Sequence, residues 1–196
     1  MTVDASLRSR LGSAGIVGAA ATVFARLGFA AARVEDILAA AGIARRTFYK
    51  SFSSKEDVLA AVYQLAIQEL LGAMTVAAGR GSDPFDVIRE GLDVYLDYHA
   101  VNARLVRVLV EQAIRSDSPI FPARKRFRAE LGRLLDDAVR AKTGKRHDPL
   151  LYAALLSALE GLSLELLSGS ATEIDEKAVA RAKKVMHLLV ERVLGA

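Results

Sequence analysis

Apolar residues recur at helical spacing along almost the whole chain, and no stretch alternates apolar and polar residues for long. Leucine and alanine dominate, and 52% of the 196 residues are apolar, which is enough to bury a core. These features predict an all-α protein of about nine helices. We therefore expect the functional residues to lie on helices and on the turns between them.

The residue types that are missing exclude several kinds of site. Cysteine is absent and only three histidines are present, so thiolate metal sites, disulfides and cysteine nucleophiles are excluded. We expect neither a metal nor a cofactor. No stretch reaches the about 18 uncharged apolar residues of a membrane span, because the richest one, residues 150–167, contains Glu160 and Glu165. A membrane is therefore not an expected partner.

The excess positive charge lies in the first quarter of the chain. Residues 1–55 contain eight basic and three acidic residues, whereas the remaining 141 contain 19 basic and 20 acidic residues. A basic segment attached to a nearly neutral body is typical of a protein that binds a polyanion and has a second function elsewhere. Chance produces imbalances of this size too, so charge alone leaves the question open.

The N-terminus superficially resembles a secretory signal. Arg8 and Arg10 precede an apolar run, and three alanines follow it. Arg26 interrupts that run, however, and residues up to 55 are better interpreted as one folded unit. Export is therefore not expected.

Three helices are predicted in the first domain, residues 1–53. The first ends at residue 27, the second covers residues 34–41, and the third begins near residue 44, with a glycine closing each of the first two. Two short helices joined through Gly42 after a supporting helix form a helix-turn-helix. The apolar residues expected to fill the small core beneath it are Ile37, Ile43, Phe48 and Phe52.

The third helix is expected to present polar side chains outward. Their types are those that reach phosphates and guanine edges when a helix lies in the major groove of DNA. An amphipathic helix with a solvated basic face is the alternative, but it leaves the glycine, the aromatic residues and the short neighbouring helix unexplained. The outward residues are Arg45, Arg46, Thr47, Tyr49 and Lys50.

Residues 9–62 resemble the DNA-binding domain of the TetR family of transcriptional regulators. The resemblance depends on many residue types at fixed offsets, which makes it more specific than any single dipeptide. It implies a cytoplasmic repressor that dimerises through its C-terminal helices and leaves double-stranded DNA when a small molecule binds. The matching residues are Ala19, Ala20, Phe24, Gly28, Phe29, Val34, Asp36, Ile37, Ala40, Ala41, Gly42, Ile43, Thr47, Phe48, Tyr49, Phe52, Ser54, Lys55 and Glu56.

The resemblance also implies individual roles. Arg45, Arg46 and Thr47 match the start of the recognition helix and would contact bases and phosphates. Tyr49 matches a phosphate-contacting tyrosine, Lys50 a nearby contact to the DNA backbone, and Lys55 the lysine that opens the fourth helix, and all three are predicted to bind DNA.

Three residues depart from the family pattern. Arg33 replaces the Thr or Ser that caps the second helix, which weakens the cap and makes a phosphate contact possible. Leu38 replaces a small residue where two helices approach, so their packing is expected to adjust. Ala44 replaces the serine that caps the recognition helix, so that contact is expected to be lost.

The second domain, residues 54–196, is predicted to bind an effector and to dimerise. Its helices are expected over residues 54–78, 84–100, 103–115, 119–143, 148–168 and 173–194. Residues 150–167 are apolar on nearly every side, so they must be buried in a core or against a partner. We expect a homodimeric bundle, with closure of the monomer core as the alternative. The assigned interface residues are Leu155, Ala158, Leu159, Leu162, Leu166, Val185, Leu189 and Val193.

A pocket for a small-molecule effector is expected in the same domain, with mostly apolar walls and a few polar groups. Each candidate is also explained as an ordinary core residue. Aromatic and apolar walls favour an apolar or aromatic ligand. The candidates are Tyr95, Tyr98, His99, Glu111, Gln112, Phe121, Phe127 and Tyr152.

Two other classes of function compete with a ligand-responsive, operator-binding regulator. A small all-helical enzyme finds no support, because the sequence has no paired Glu-x-x-His motif, phosphate-binding loop or nucleophile elbow. A helical adaptor that binds only proteins would not need the basic third helix. A pseudo-palindromic operator bound by a dimer is therefore the predicted target.

Overall fold

A computed structural model describes residues 5–81, 83–168 and 175–194. All regular structure within these ranges is helical, as the hydrophobic periodicity predicts. The expected break at residues 169–172 and Ser82 of the predicted loop lie outside the described residues. The helices are α1 (Ala5–Leu27), α2 (Val34–Ala41), α3 (Arg45–Phe48), α4 (Lys55–Ala78), α5 (Pro84–Val101), α6 (Ala103–Ala113), α7 (Phe121–Thr143), α8 (Pro149–Ser168) and α9 (Glu176–Leu194).

The chain forms two compact units. One comprises the chain up to Ala66 together with Arg104–Phe121, and the other comprises Ile67–Ala103 together with the chain from Pro122 onward. Helix α4 contributes residues to both units, and most of α6 belongs to the first. The functional division at residue 54 stays a prediction.

The first unit buries one large apolar residue from each of its short helices. Ile37 of α2 and Phe48 of α3 are fully buried, together with Phe24 of α1 and Leu59 of α4. Ile43 and Phe52, the other two predicted core residues, are half-buried. Because α3 is only one turn long, its position depends on this burial rather than on its own hydrogen bonds.

The second unit has a larger core, built from α4, α5, α7, α8 and α9. Leu96 of α5, Tyr152 of α8 and Met186 of α9 are buried within it. Along the solvent edge, α5 and α9 are joined by ion pairs at one-turn intervals on both helices. They are Arg89–Glu191 at 3.9 Å, Asp93–His187 at 2.8 Å and Asp97–Lys183 at 2.7 Å.

Two helices have the length and apolarity of a membrane span, α4 and Pro149–Leu167 of α8, with mean hydropathies of 1.4 and 1.6. The core helix of a soluble protein has the same properties. In α8, the charged Glu160 accepts hydrogen bonds from Arg124, at 2.6 Å, and from Arg128 of α7. The buried face of α8 packs into the core of the second unit.

A pair of truncations on α5 tests this core. Leu96 is fully buried, whereas Val101 of the same helix is 84% exposed. We expect Leu96→Ala to lower the free energy of unfolding by about 2–5 kcal/mol because it leaves a cavity. Val101→Ala should change it by no more than about 0.5 kcal/mol. Urea unfolding followed by circular dichroism measures both, and equal effects would contradict the described packing.

Candidate nucleic-acid interface and ligand cavity

The turn between α2 and α3 depends on one glycine. Gly42 has a φ of 64°, a left-handed conformation that only glycine adopts without strain. The turn is closed by the Ile43 amide, which donates to the Leu38 carbonyl at 3.2 Å. This is the αL termination of a helix, and it reverses the chain so that α3 crosses α2.

The two departures from the expected capping pattern have different outcomes. At α2, the Arg33 side chain makes no capping hydrogen bond, but the Asp36 carboxylate accepts from the Arg33 amide at 2.8 Å. At α3, Ala44 provides no side-chain cap. At α2, the Asp36 carboxylate therefore partly replaces the capping hydroxyl of a Thr or Ser. Helix α3 begins without any side-chain cap.

Five polar residues are exposed on and just after α3, as the sequence predicts. Arg45, Arg46, Thr47, Tyr49 and Lys50 are all exposed, while Phe48 between them is buried. The Arg45 guanidinium lies 3.0 Å from the Glu35 carboxylate and 5.7 Å from the centre of the Tyr49 ring. These side chains form a cationic surface that is accessible to a polyanion. The buried ring of Phe48 holds the helix that carries them in place.

Lys55 has a different environment from these residues. Its ammonium donates to the carbonyls of Phe29 and Ala32, both at 2.9 Å, and lies 4.4 Å from the centre of the Phe29 ring. Two of its three donors therefore bind the loop after α1. The structure assigns Lys55 to bracing the start of α4 against that loop.

Helix α4 begins with a reciprocal cap, as predicted at Ser54. The Ser54 hydroxyl accepts from the Asp57 amide at 3.1 Å, and the Asp57 carboxylate accepts from the Ser53 amide at 2.9 Å. The bonds from Ser53 hold the pKa of Asp57 below its usual value. The end of the helix-turn-helix is thus fixed to the next helix by local hydrogen bonds.

The predicted effector residues do not gather in one place. Glu111 is exposed and Gln112 and Phe121 are half-buried in the first unit, whereas the other five belong to the second. Of these five, Tyr95 alone lines an apolar cavity of the second unit, and Tyr152 lines a separate groove. Spacing along the helices could not distinguish these positions.

Tyr98, His99, Phe127 and Tyr152 have partners inside the second unit. Tyr98 donates to Glu69 at 3.2 Å and Tyr152 to Asp136 at 3.0 Å, and burial is the main cause that raises the pKa of each tyrosine to about 12. His99 shares a hydrogen bond with Ser163, and burial lowers its pKa to about 4, so its ring is neutral at pH 7. Phe127 packs against the core. All four are explained by packing and local hydrogen bonds.

The cavity that Tyr95 lines has a volume of about 270 Å³. It lies among α4, α5, α7 and α8, and its walls are almost entirely aliphatic. Sequence reasoning missed most of its wall, including Met74, Gly91, Leu131, Leu134 and Leu135, because these residues have the same periodicity as an ordinary core face. Among the described residues, no group of His, Asp and Glu side chains is placed to hold a metal.

The predicted dimer interface is only partly on the surface. Leu155 and Leu159 are buried in the monomer core, which corrects their assignment to an interface. The side chains of Ala158, Leu162, Leu166, Leu189 and Val193 are partly buried against that core. Val185 is exposed, as is Leu188 beside it. The exposed face of α8 is a different one, and it contains Ala153, Ser157 and Gly161.

A helix-turn-helix with an exposed basic helix defines a class of nucleic-acid-binding proteins. Residues 16–62 match the family model described as bacterial regulatory proteins, tetR family. Over these residues, which include the helix-turn-helix, the chain is similar to the regulators of this family.

One curated relative is similar to about half of the chain. The chain is 35% identical over 95 residues to the HTH-type transcriptional repressor SCO4008 of Streptomyces coelicolor, a match that covers 48% of this chain and 45% of that protein. The chain thus spans less than half the length of this curated relative.

Solved structures match over almost the whole chain. The TetR family transcriptional regulator PfmR from Thermus thermophilus has a TM-score of 0.65 and 26% identity, with 90% of this chain and 97% of that one covered. The fatty acid degradation regulator FadR from Bacillus halodurans has a TM-score of 0.76 and 20% identity, covering 93% and 98%. The second likeness concerns the fold alone.

Gly42 provides a test of the turn. In Gly42→Ala a side chain must adopt a left-handed conformation, so we expect the free energy of unfolding to fall by about 1–2 kcal/mol. The control is Gly15→Ala in α1, where an added Cβ meets nothing within 4 Å and φ is ordinary. That change should stabilise by up to about 1 kcal/mol through helix propensity. Urea unfolding of both variants measures the difference, and effects of the same sign would contradict the argument.

Lys55 and Lys50 form a second matched pair. Lys55→Met removes a partner from two backbone carbonyls, so the free energy of unfolding should fall by about 1–3 kcal/mol. Lys50→Met removes an exposed side chain and should change it by less than about 0.5 kcal/mol. Thermal and urea unfolding provide the measurement. A Lys55→Met variant as stable as the parent would show that the brace contributes little.

Proposed function

We propose that this protein is a cytoplasmic, ligand-responsive repressor that binds a pseudo-palindromic operator as a homodimer. The observation that carries the proposal is the exposed cationic helix α3 with its five polar side chains. Support also comes from the relative that is named a transcriptional repressor. Each copy would place one α3 in the major groove, with the two half-sites about 34 Å apart.

In this proposal, α3 combines two kinds of contact. Tyr49 and Lys50 bind phosphates and fix the register, while Arg45, Arg46 and Thr47 read the edges of the bases. Arg33, exposed at the start of α2, adds a further phosphate contact. Before DNA is bound, the Glu35 carboxylate of α2 pairs with Arg45, so Arg45 would exchange this carboxylate for the acceptors of a base edge.

Dimerisation is assigned to the exposed faces of α8 and α9. Ala153, Ser157 and Gly161 are small enough for a second helix to approach closely, and Val185 and Leu188 supply exposed apolar surface. A two-fold bundle would bury both faces. This arrangement replaces the one in which Leu155 and Leu159 were placed at the interface.

An apolar effector would release the DNA. It would occupy the cavity among α4, α5, α7 and α8, whose walls are almost entirely aliphatic. Release requires only that the effector binds more tightly to the conformation with lower operator affinity, and a coupling of about 1–3 kcal/mol is typical.

Salt-titrated binding tests the DNA contacts. We expect the affinity for the duplex upstream of the protein's own gene, measured by fluorescence anisotropy, to fall steeply as salt rises, because phosphate contacts release counterions. Arg46→Ala should weaken binding by about 10- to 100-fold. The control Arg133→Ala changes an exposed arginine on α7 and should leave the affinity unchanged. Affinity that ignores salt, or equal losses in both variants, would sink the proposal.

A further inference from the structure

The wall of the cavity in the second unit contains no cation and no carboxylate. Its fifteen lining residues are aliphatic apart from Thr75 and Tyr95. The Thr75 hydroxyl already donates to the Leu71 carbonyl at 2.8 Å, so it has no free proton for a ligand. An ionised group inside this cavity would lose its hydration without gaining an ion partner, which is unfavourable by several kcal/mol.

The cavity is open on one side. Of its wall, Thr75 of α4 and Leu134 of α7 are exposed, the second to 55%, whereas Leu156 and Leu159 of α8 are buried. The opening therefore lies between α4 and α7. A ligand can enter from this side with its apolar end first and keep a polar end in water.

One wall of the cavity is made by a glycine in the middle of a helix. Gly91 is a buried residue of α5, and a Cβ added to it would lie 3.3 Å from the Met74 Cε of α4. Glycine in a helix interior is less favourable than alanine by about 0.5–1 kcal/mol, and its φ here is not one that requires glycine. The missing side chain leaves room for the Met74 methyl against α5, and an added Cβ would displace that methyl.

The volume sets the scale of the ligand. A cavity of about 270 Å³ holds about nine groups the size of a water molecule, each with a share of about 30 Å³, and a methylene is of similar size. This corresponds to an aliphatic chain of about nine carbons, or to a ring system of equal volume.

We propose that this cavity takes the hydrocarbon chain of an amphiphile, tail first through the α4–α7 opening, and that Gly91 sets the longest chain it accepts. The assignment rests on the proposed function, because it names the ligand class of the effector site. The polar end remains at the opening, so the cavity selects chain length rather than the charge of the head group.

A homologous series tests the proposal. The probes are straight-chain primary alcohols of about six to fourteen carbons and the corresponding carboxylates, titrated calorimetrically into the full-length protein without DNA. Affinity should rise about three- to fourfold per methylene and level off near the length that fills the cavity. Alcohol and carboxylate of equal length should agree within a few-fold. Affinity independent of length, or loss of binding by all carboxylates, would overturn the proposal.

Variants of Gly91 locate the chain. Gly91→Val should shift the plateau to shorter chains by two or so carbons, since each carbon needs about 30 Å³. Gly91→Ala meets only the flexible end of Met74, so it should fold at least as stably as the parent and shift the plateau by about one carbon. The control Gly132→Ala lies on α7, where the added Cβ has only an ordinary 3.9 Å contact with Tyr152, and should leave the series unchanged. A plateau unmoved in Gly91→Ala would overturn the role of Gly91.

Adding operator DNA distinguishes this inference from the proposed function. Alkyl probes that bind with the expected length dependence but never shift the DNA-binding curve would support the cavity assignment and contradict its role in release. Release by some other ligand, with no binding of the alkyl series, would overturn the cavity assignment and leave the regulator intact.

Discussion

The burial of Phe48 is the interaction on which the DNA-binding surface depends. Helix α3 has only four residues, too few to hold itself together, and it has no side-chain cap at Ala44. Its position is therefore fixed by the phenyl ring beneath it and by the left-handed turn at Gly42. With that ring fully buried, the neighbouring side chains have to face outward. The single turn of α3 therefore both fills the core with Phe48 and exposes the charged side chains beside it.

The fold and the basic surface could be predicted from sequence because their signals are local. Gly28, Gly42 and Ser54 mark helix ends, and all three act as expected in the structure. The spacing between Phe48 and its polar neighbours similarly determines which side chains are exposed. Lys55 shows the limit of this reasoning, since its two carbonyl partners lie more than twenty residues away along the chain and leave no trace in the local pattern.

The cavity and the interface could not be predicted in the same way, because hydrophobic periodicity identifies an apolar face without saying what covers it. Leu134 and Leu159 have similar sequence surroundings, yet the first is at an opening and the second is in the core. Tyr98 and His99, which were predicted as ligand contacts, make hydrogen bonds within the domain, and their contact with a ligand stays a prediction. The cavity lies among four helices, so it depends on how these helices are arranged. The periodicity of a single helix does not specify that arrangement.

The charged pairs between α5 and α9 have a consequence for how the second unit assembles. The two helices are otherwise joined by aliphatic side chains, and the charged pairs oppose a slip of one turn between them. Such a slip would set Arg89 beside His187 in one direction and Asp93 beside Glu191 in the other. A slip of one turn in either direction therefore separates Arg89 from Glu191 and Lys183 from Asp97, and α9 has one alignment on α5 in which both of these pairs are opposite in sign.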